Sequence, residues 1–356
     1  MDGPRIGYRR SMKVVVVGAT GNVGTSVVAA LAAEPRVDEI VGVEKRPPDL
    51  EVPKVTWMAV DISADPLDDV VAGADVVVHV AWLLQPSHDE RLLQRTNVAG
   101  TARLVAAMVR NRVPALVYAS SVGTYAPGPV GVRVDESWPS TGVPTSQYSR
   151  QKAAVERLLD QVEQSHPELR VVRLRKALIF KPDAASEIKR FFLGPLAPTQ
   201  LAGRVGLPFV PDDERLAFQT VHTKDVAEAY RLAVLSDASG AYNIAAEPVI
   251  TPVILGQVLG AQPVGISPAL LRAGAAVTYA ARLLPAEPGW IDLAVNAPLM
   301  STEKARIELG WQPVHSAVDT LEELFAGFAR GAGMGTPPLV PEGAEAEQAA
   351  RVGDPN

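Results

Sequence analysis

Residues 14–17 are four consecutive valines, and three glycines spaced three residues apart follow them at Gly18, Gly21 and Gly24. β-Branched side chains at every position favour a strand that is buried on both faces within a parallel sheet. Beyond the glycines, apolar residues recur at the spacing of a helix, at Val23, Val27, Val28 and Leu31. The sequence therefore predicts a strand, a glycine-rich turn and a helix in succession.

This glycine-rich turn has the layout of a phosphate-binding loop. Gly18 permits a tight turn, Gly21 lets a pyrophosphate approach the backbone, and Gly24 lets the helix pack closely on the strand. The free amides at the start of the helix then face the anion. Isolated glycines are also common in ordinary strand-to-helix turns, but three at this spacing favour a dinucleotide cofactor. We expect the cofactor to contact Gly18, Thr20, Gly21, Asn22, Val23 and Gly24.

The composition points to small-molecule chemistry. The 356 residues are 47% hydrophobic, which suits one large α/β domain with a smaller lobe. The formal net charge is -6, and no block of lysine or arginine marks a nucleic acid or an anionic membrane as a partner. The chain has no cysteine, which excludes disulfides, thiolate catalysis and zinc–thiolate sites. We therefore expect a cytoplasmic protein that binds neither nucleic acid nor membrane.

Both ends of the chain are predicted to be disordered. Residues 1–12 carry charges but lack the apolar core of a secretory signal, which predicts a disordered leader. Residues 331–356 are rich in Gly, Pro, Ala and Glu, which predicts a disordered tail. Residues 248–271 carry no charged side chain, but several prolines and glycines interrupt them. No membrane-spanning helix is therefore expected there.

Apolar runs separated by helical patterns continue through about Arg175. They predict further strands at 39–43, 55–60, 74–81, 115–120 and 169–175. This alternation is typical of an α/β fold with a Rossmann-type doubly wound parallel sheet, whose site lies at the carboxyl ends of the strands. We assign residues 13–180 to this NAD(P)-binding domain. Residues 181–330 are assigned to a small C-terminal substrate-binding lobe, with some elements that return to the first domain.

Two polar residues at the start of a predicted helix can carry chemistry. Tyr148 and Lys152 are four residues apart, so both lie on one side of that helix. Lowering the pKa of a phenol from near 10 to about 7 takes roughly 4 kcal/mol of phenolate stabilisation. A lysine cation about 5 Å away supplies on the order of 3 kcal/mol at an effective dielectric near 20, and an oxidised nicotinamide adds positive charge. Spacing alone favours an ordinary surface pair, but the surrounding sequence favours proton transfer.

Ser120 and Ser121 supply that context, because they follow a strand predicted to be central. A hydroxyl group there could hydrogen-bond a substrate carbonyl beside the phenol, or merely cap a loop. Together GATGNVG, YASSVGTY and YSRQK resemble, in this order, the extended short-chain dehydrogenase/reductase family, also called NAD-dependent epimerases/dehydratases. Further matches over about residues 13–330 are VDIS, VVHVAW, TNVAGT, TVHTKDVAEA, YNIA and ELGWQP.

The resemblance implies a role for each matching residue. Tyr148 would be the general acid/base, Lys152 would hold the nicotinamide ribose and lower the tyrosine pKa, and Ser121 would polarise the substrate carbonyl. Asn97 would support the proton relay. Members of the family often pair through the helices that match residues 96–110 and 148–162, which implies a homodimer.

The same resemblance assigns further cofactor contacts. Asp61 and Ile62 would contact the adenine, and Ala81 and Trp82 would line the cofactor after the fourth strand. His79 is expected to be a core residue rather than a catalytic one. The other histidines lack metal-ligand spacing, and no metal is expected.

Two departures from the family pattern reduce the range of reactions that we expect. Dehydratases of the family have an Asp-Glu pair just after the catalytic hydroxyl, where this chain has Val122 and Gly123, so dehydration is not expected. Nucleotide-sugar enzymes commonly have an asparagine near the substrate phosphates in the pattern RPxNVYGP, where RKALIFKP places Leu178. A leucine offers no hydrogen bond to a diphosphate. Arginines of the following loop could restore such bonds. The expected substrate contacts are Ser121, Leu178, Phe191, Phe192 and Arg215.

These observations predict an NAD(P)-dependent oxidoreductase that interconverts an alcohol and a carbonyl of a mostly apolar substrate. The alternative is a nucleotide-sugar epimerase with tightly bound NAD, and a third possibility is a cofactor-binding sensor without catalysis. Glu44 ends the second strand, where a carboxylate accepts from an adenosine ribose hydroxyl and repels a 2′-phosphate, so NAD is expected. Lys45 and Arg46 follow and could instead bind the phosphate of NADP.

Overall fold

A seven-stranded parallel sheet forms the centre of the computed structural model, which describes residues 11–84, 88–192 and 209–341. In spatial order its strands are β3 (Val55–Ala59), β2 (Val37–Glu44), β1 (Met12–Val17), β4 (Val76–His79), β5 (Ala115–Ser121), β7 (Arg170–Lys176) and β11 (Gly240–Ile244). The strand order changes direction between β1 and β4, as in a doubly wound sheet. The predicted Rossmann-type fold class is confirmed.

Helices connect the strands and build much of the C-terminal lobe. In chain order they are α1 (Asn22–Ala33), α2 (Asp68–Val71), α3 (Glu90–Gln94), α4 (Gly100–Arg110), α5 (Gln147–Ser165), α6 (Ala185–Phe192), α7 (Thr223–Leu235), α8 (Pro252–Leu259), α9 (Pro268–Ala280), α10 (Gly289–Asn296), α11 (Glu303–Glu308) and α12 (Ala317–Arg330). A π-helical turn, Arg95–Ala99, joins α3 to α4.

The four valines of β1 are buried on both faces of the sheet, as their sequence predicts. Val14 and Val16 pack on the side covered by α1 and α7, and Val15 and Val17 pack on the side covered by α4 and α5. Full burial of one such side chain stabilises the fold by roughly 1.5–3 kcal/mol. The strand is thereby fixed in the sheet, and it places the glycines that follow it at the carboxyl edge.

Three shorter parallel pairs lie outside the central sheet. They are β8 (Leu178–Phe180) with β10 (Thr220–His222), β9 (Phe209–Pro211) with β12 (Gln262–Val264), and β6 (Arg133–Val134) with β13 (Leu299–Met300). The outer strand β11 comes from residues that the sequence assigned to the lobe, and it pairs with β7 of the central sheet.

Residues 331–341 do not form the disordered tail that their composition predicted. Leu339 and Val340 are buried, and the Thr336 hydroxyl donates to the Thr20 carbonyl at 2.9 Å. Tertiary contacts with the glycine loop therefore order a segment that has no helical or strand periodicity of its own. Of the predicted leader, Met12 belongs to β1. Residues 1–10 and 342–356 lie outside the described part of the chain.

Asp225 lies in the first turn of α7 but does not cap it. The His222 side chain accepts the Lys224 amide there at 3.2 Å. Asp225 instead accepts from the amide and the ring of His315, at 2.9 and 3.1 Å. The carboxylate is drawn to these two donors from a distant segment, which local spacing could not indicate.

Two further properties concern only the described residues. No helix among them is long and apolar enough to cross a bilayer. No group of three or more histidine or acidic side chains among them is arranged to hold a metal ion. His79 is buried in the core, where burial lowers its pKa to about 3 and Thr101 lies 2.9 Å from its Nε2.

Candidate active site

The glycine loop packs tightly against the sheet but leaves the first turn of α1 accessible. Gly18 has a φ of +91°, and a side chain there would meet the Ala81 nitrogen at 2.4 Å. A side chain at Gly24 would meet the Gly18 carbonyl oxygen at 2.0 Å. At Gly21, by contrast, the nearest atom is 3.9 Å away. The loop can therefore admit an anion to the backbone of Gly21 and Asn22, as a dinucleotide diphosphate requires.

The carboxylate of Glu44 lies beside this loop at the end of β2. It accepts a hydrogen bond from the Thr20 amide at 3.0 Å, and burial raises its pKa. The adjacent Lys45 pairs with Asp61 at 3.0 Å. Hydrogen bonds from Ser63, followed by that from Lys45, lower the pKa of Asp61 to about 2. Lys45 thus already has an acidic partner at this end of the site.

Ser121 and Tyr148 meet at the carboxyl end of the sheet. Ser121 is the last residue of β5, and its Oγ accepts from the Gly123 amide at 3.0 Å. Tyr148 lies in the first turn of α5, and a side chain at Gly123 would come within 3.4 Å of the Ser121 Oγ as well as close to the Tyr148 ring. A side chain at Gly123 would come within 2.8 Å of the Tyr148 ring. Gly123 therefore makes room for the tyrosine, and a side chain there would require the Tyr148 ring to shift.

Lys152 lies one turn further along α5, with its ammonium group in a buried setting. It donates to the Ala119 carbonyl at 2.7 Å and lies 3.5 Å from the centre of the Trp82 ring. Burial lowers the pKa of Lys152 well below its ordinary value. The ammonium nitrogen is 5.9 Å from the centre of the Tyr148 ring.

Tyr148 is buried, and burial affects its protonation in the chain without cofactor. Burial raises the pKa of Tyr148 to about 12, and the neighbouring Ser121 side chain offsets only part of that increase. The expectation that Lys152 and a bound nicotinamide together bring this pKa toward neutrality stays a prediction. Desolvation of the phenolate outweighs the effect of a lysine whose own cation is desolvated.

Asn97 fixes the loop that carries Ala81 and Trp82. Its side chain accepts from the Leu83 amide at 2.7 Å and donates to the Leu83 carbonyl at 2.8 Å. The same side-chain amide donates to Gln151 on α5 at 2.9 Å. Through these contacts Asn97 connects the loop to α5. The expected part of Asn97 in a proton relay stays a prediction.

One cavity of about 1930 Å³ joins the glycine loop, the Ser121–Tyr148 pair and the lobe. Thr20 is buried behind the loop and presents its amide to Glu44. The cavity is lined by the other expected cofactor contacts, which are Gly18, Gly21, Asn22, Val23, Gly24, Glu44, Asp61, Ile62, Ala81, Trp82, Tyr148 and Lys152. The sequence-predicted cofactor residues therefore surround one continuous space.

The expected substrate residues divide into two groups. Leu178 and Phe191 line the cavity, as Ser121 does. Arg215 pairs with Asp213 at 2.6 Å, and the described lining of the cavity does not include it. The prediction that Arg215 contacts the substrate therefore finds no support in this geometry, because the arginine is held by its local acid. The side chain of Phe192 lies outside the described part of the chain.

The sequence pattern that defines the NAD-dependent epimerase/dehydratase family matches residues 14–245. The chain belongs to the NAD-dependent epimerase/dehydratase family. The resemblance drawn from the glycine loop and the Tyr148–Lys152 pair is thereby confirmed at the level of the family.

Individual proteins and solved structures also resemble the chain. An uncharacterised protein of Mycobacterium tuberculosis (strain ATCC 25618 / H37Rv) is 27% identical over 327 residues, which are 91% of this chain and 31% of that protein. The chain thus spans about a third of the length of that relative. A decarboxylating sterol-4-alpha-carboxylate 3-dehydrogenase of Candida albicans is 33% identical over 134 residues, which are 36% of this chain and 37% of that enzyme. The structure of UDP-glucose 4-epimerase from Thermus thermophilus in complex with NAD gives a TM-score of 0.66 at 25% identity, covering 90% of this chain and 100% of that one.

Lys176 also belongs to the site of this epimerase/dehydratase family member. Reasoning from the sequence did not identify it. It is the register partner of Ser121 on the neighbouring strand and lines the cavity. Its ammonium group donates to the Tyr230 hydroxyl at 2.9 Å, and burial lowers its pKa to about 7. The sequence did contain a signal that could have identified Lys176. Three cationic residues, Arg173, Arg175 and Lys176, lie close together in a strand predicted to be buried.

The arginines of that strand form a buried charge network behind the site. Glu156 on α5 accepts from Arg173 and Arg175, each at 2.9 Å, and from the Ser120 hydroxyl. Ser120 is therefore committed to this network, whereas Ser121 faces Tyr148. Both serines line the cavity, but only the hydroxyl of Ser120 is bonded to Glu156.

Trp290 and Glu187 are also new members of the site. The Trp290 ring lies 5.0 Å from the Tyr148 ring, centre to centre, and brings α10 of the lobe over the cavity. Glu187 on α6 also lines the cavity. Neither residue belongs to a periodic pattern or a motif, so the sequence contained no local signal for them.

Proposed function

We propose that this chain catalyses NAD-dependent interconversion of an alcohol and a carbonyl by hydride transfer. The observation that carries the proposal is that Ser121 and Tyr148 lie together beside Gly123, in the cavity that the glycine loop also lines. Two hydroxyl groups at one point can hold a substrate oxygen beside the cofactor site. A sensor that only binds the cofactor would not need these two hydroxyl groups.

The chain's own residues handle the proton and the substrate oxygen. NAD, when bound, supplies the hydride acceptor and a positive nicotinamide ring. During alcohol oxidation Tyr148 accepts the hydroxyl proton, and during carbonyl reduction it returns the proton to the oxygen. The Ser121 hydroxyl donates a hydrogen bond to the same oxygen, which stabilises the negative charge that develops there. Lys152 is close enough to hold the ribose and to favour the phenolate in the loaded site.

The substrate class is inferred from side chains that line the cavity. Leu178, Phe191 and Trp290 are among them, and they offer mainly apolar surface. Phosphates of a nucleotide sugar would need donors, each worth roughly 1.5–3 kcal/mol when charge-assisted. Arg215 is paired with Asp213, and Arg190, which lines the cavity, donates to the Pro338 carbonyl. The partial similarity to an enzyme named as a sterol dehydrogenase supports the same class.

A nucleotide-sugar epimerase with tightly bound NAD is the second candidate. The similarity to the UDP-glucose 4-epimerase of Thermus thermophilus favours it. An epimerase oxidises and re-reduces one substrate, so it would retain NAD and consume none. Calorimetry with UDP- and dTDP-sugars on NAD-loaded protein distinguishes the two candidates. Micromolar binding of a nucleotide sugar would favour the epimerase.

Three finer properties belong to the same proposal. NAD is preferred to NADP because Glu44 borders the ribose end and Lys45 pairs with Asp61. We expect a homodimer through the outer faces of α4 and α5, where Ala106 is exposed and Leu158 only partly buried. The absence of cysteine agrees with the cytoplasm.

A substrate screen tests the central proposal. Secondary alcohols and ketones, from small and polar to large and apolar, are incubated with NAD, NADH, NADP or NADPH, and nicotinamide absorbance reports turnover. We expect turnover with apolar members of the panel and NAD or NADH. Retained NAD with no net turnover on any member, together with sugar-nucleotide conversion, would contradict it.

A further inference from the structure

Lys176 is a buried lysine that the proposed reaction does not use. It is 5% exposed and ends β7, where it is the register partner of Ser121 at the end of β5. Its ammonium group donates to the Tyr230 hydroxyl at 2.9 Å and to the Leu174 carbonyl at 3.5 Å. In the described part of the chain no carboxylate pairs with it. The lysine therefore has two neutral acceptors and no counter-ion.

This arrangement of Lys176 costs stability. A buried ammonium group without an anion loses its hydration and gains only hydrogen bonds to neutral groups. Burial accordingly lowers the pKa of Lys176 to about 7. Tyr230 does not need a cation, because a neutral donor would also satisfy a buried hydroxyl group. Titratable groups that are desolvated in this way and line a cavity are characteristic of binding and catalytic sites.

Lys176 lies near Ser121 rather than near the glycine loop. Both residues line the cavity. Neighbouring parallel strands are about 4.8 Å apart, so the end of β7 lies about 14 Å from the end of β1, with β4 and β5 between them. A diphosphate at Gly21 and Asn22 is therefore remote from Lys176, whereas an oxygen held by Ser121 is one strand away.

The charged residues that line the cavity are distributed unevenly. Among the described residues of the lining, the acidic ones are Glu44, Asp49, Asp61 and Glu187. The first three lie at or between the ends of β2 and β3, on the far side of β1 from Lys176, and the fourth is on α6. The described lining from α5, β5 and β7 holds two cations, Lys152 and Lys176, and no acid. Burial, followed by the charge of Lys176, lowers the pKa of Lys152. This part of the cavity is therefore complementary to an anion.

We propose that Lys176 binds a carboxylate of the substrate, so that the chain acts on an apolar hydroxy acid or on the corresponding keto acid. This inference rests on the proposed function, because it takes Ser121 to hold the alcohol or carbonyl oxygen. The carboxylate supplies the counter-ion that Lys176 lacks and accepts a charge-assisted hydrogen bond from it. Because Ser121 and Lys176 are on neighbouring strands, the carboxylate lies only a few bonds from the reacting carbon.

Calorimetry on the full chain loaded with NADH tests the inference, because NADH cannot oxidise an alcohol and no turnover follows. The probes are 3-hydroxyoctanoate and its uncharged methyl ester, which share the alcohol and the apolar chain. The proteins are the wild type, Lys176→Met, and Lys224→Met as a control that removes an exposed lysine from α7. We expect the wild type and the control to bind the acid about tenfold more tightly than the ester. Lys176→Met should lose this preference and bind the ester within about threefold of the wild type.

The comparison of acid and ester in the wild type requires no variant to fold. Equal affinity for the two probes, binding of neither, or a preference for the acid that persists in Lys176→Met would overturn the inference and leave the proposed function intact. UDP is the third probe. Binding of UDP that Lys176→Met abolishes would overturn the inference and favour the nucleotide-sugar epimerase. Absence of NADH binding in all three proteins would overturn the proposed function and this inference with it.

Discussion

The ammonium group of Lys152 lies 3.5 Å from the centre of the Trp82 ring. A desolvated cation over a tryptophan face is stabilised by about 2 kcal/mol. This contact and the bond to the Ala119 carbonyl hold the lysine at the cavity wall despite the burial that lowers its pKa. The lysine is therefore placed before any cofactor arrives, on the same helix as Tyr148.

Loss of Lys152 should affect binding and rate together. Lys152→Met removes the ammonium but keeps the length of the side chain, so we expect NAD affinity to fall about tenfold, equivalent to about 1.4 kcal/mol. Turnover should fall further, because Tyr148 loses its neighbouring cation. Calorimetry measures the first effect. Lys224→Met, which removes an exposed lysine from α7, is the matched control. Unchanged NAD affinity in Lys152→Met would show that Lys152 does not hold the nicotinamide ribose.

Glu44 should select NAD over NADP. A carboxylate 4 Å from a 2′-phosphate repels it by up to about 4 kcal/mol at an effective dielectric near 20. We expect NAD to raise the melting temperature of the wild type more than NADP does at equal concentration. Glu44→Gln should reduce that difference. Greater stabilisation of the wild type by NADP would show that Lys45 leaves Asp61 to bind the phosphate.

Lys176 should make stability depend on pH. Burial lowers its pKa to about 7 in the folded protein, below the value near 10.4 of an unfolded lysine. Between these values the unfolded state binds more protons, so this group makes the free energy of unfolding rise with pH. The slope is up to about 1.4 kcal/mol per pH unit.

Urea unfolding of Lys176→Met at about pH 7 and about pH 9 isolates that contribution. Methionine fits a buried position without a charge to desolvate, so the variant should be the more stable protein at about pH 7. The difference between variant and wild type should shrink as the pH rises. A difference that is the same at both pH values would mean that Lys176 is not desolvated as the geometry indicates.

Local patterns in the sequence predicted the frame of the site. The run Val14–Val17 is apolar at every position because both faces of β1 are covered, and the glycines after it mark the turn directly. Tyr148 and Lys152 share a side of α5 because helical spacing puts them there. In each case the neighbouring residues in the chain determine the structure, so periodicity is informative.

Distant contacts determine what the sequence could not predict. Trp290 contacts Tyr148 across more than a hundred residues of chain. Residues 331–341 are ordered by contact with the glycine loop rather than by their own composition. The pKa of Tyr148 follows from burial, which spacing along a helix does not report.

Tyr148→Phe tests the central claim most directly. The variant lacks the transferable proton but keeps the ring between Trp82 and Trp290, the glycine loop and Lys152. The measurement is NADH formation with the best apolar alcohol from the screen, alongside the NAD dissociation constant of each protein. We predict that the rate falls about 10²–10⁴-fold, the usual contribution of a positioned acid/base, while NAD affinity stays within about threefold of the wild type. A rate close to that of the wild type would contradict the account.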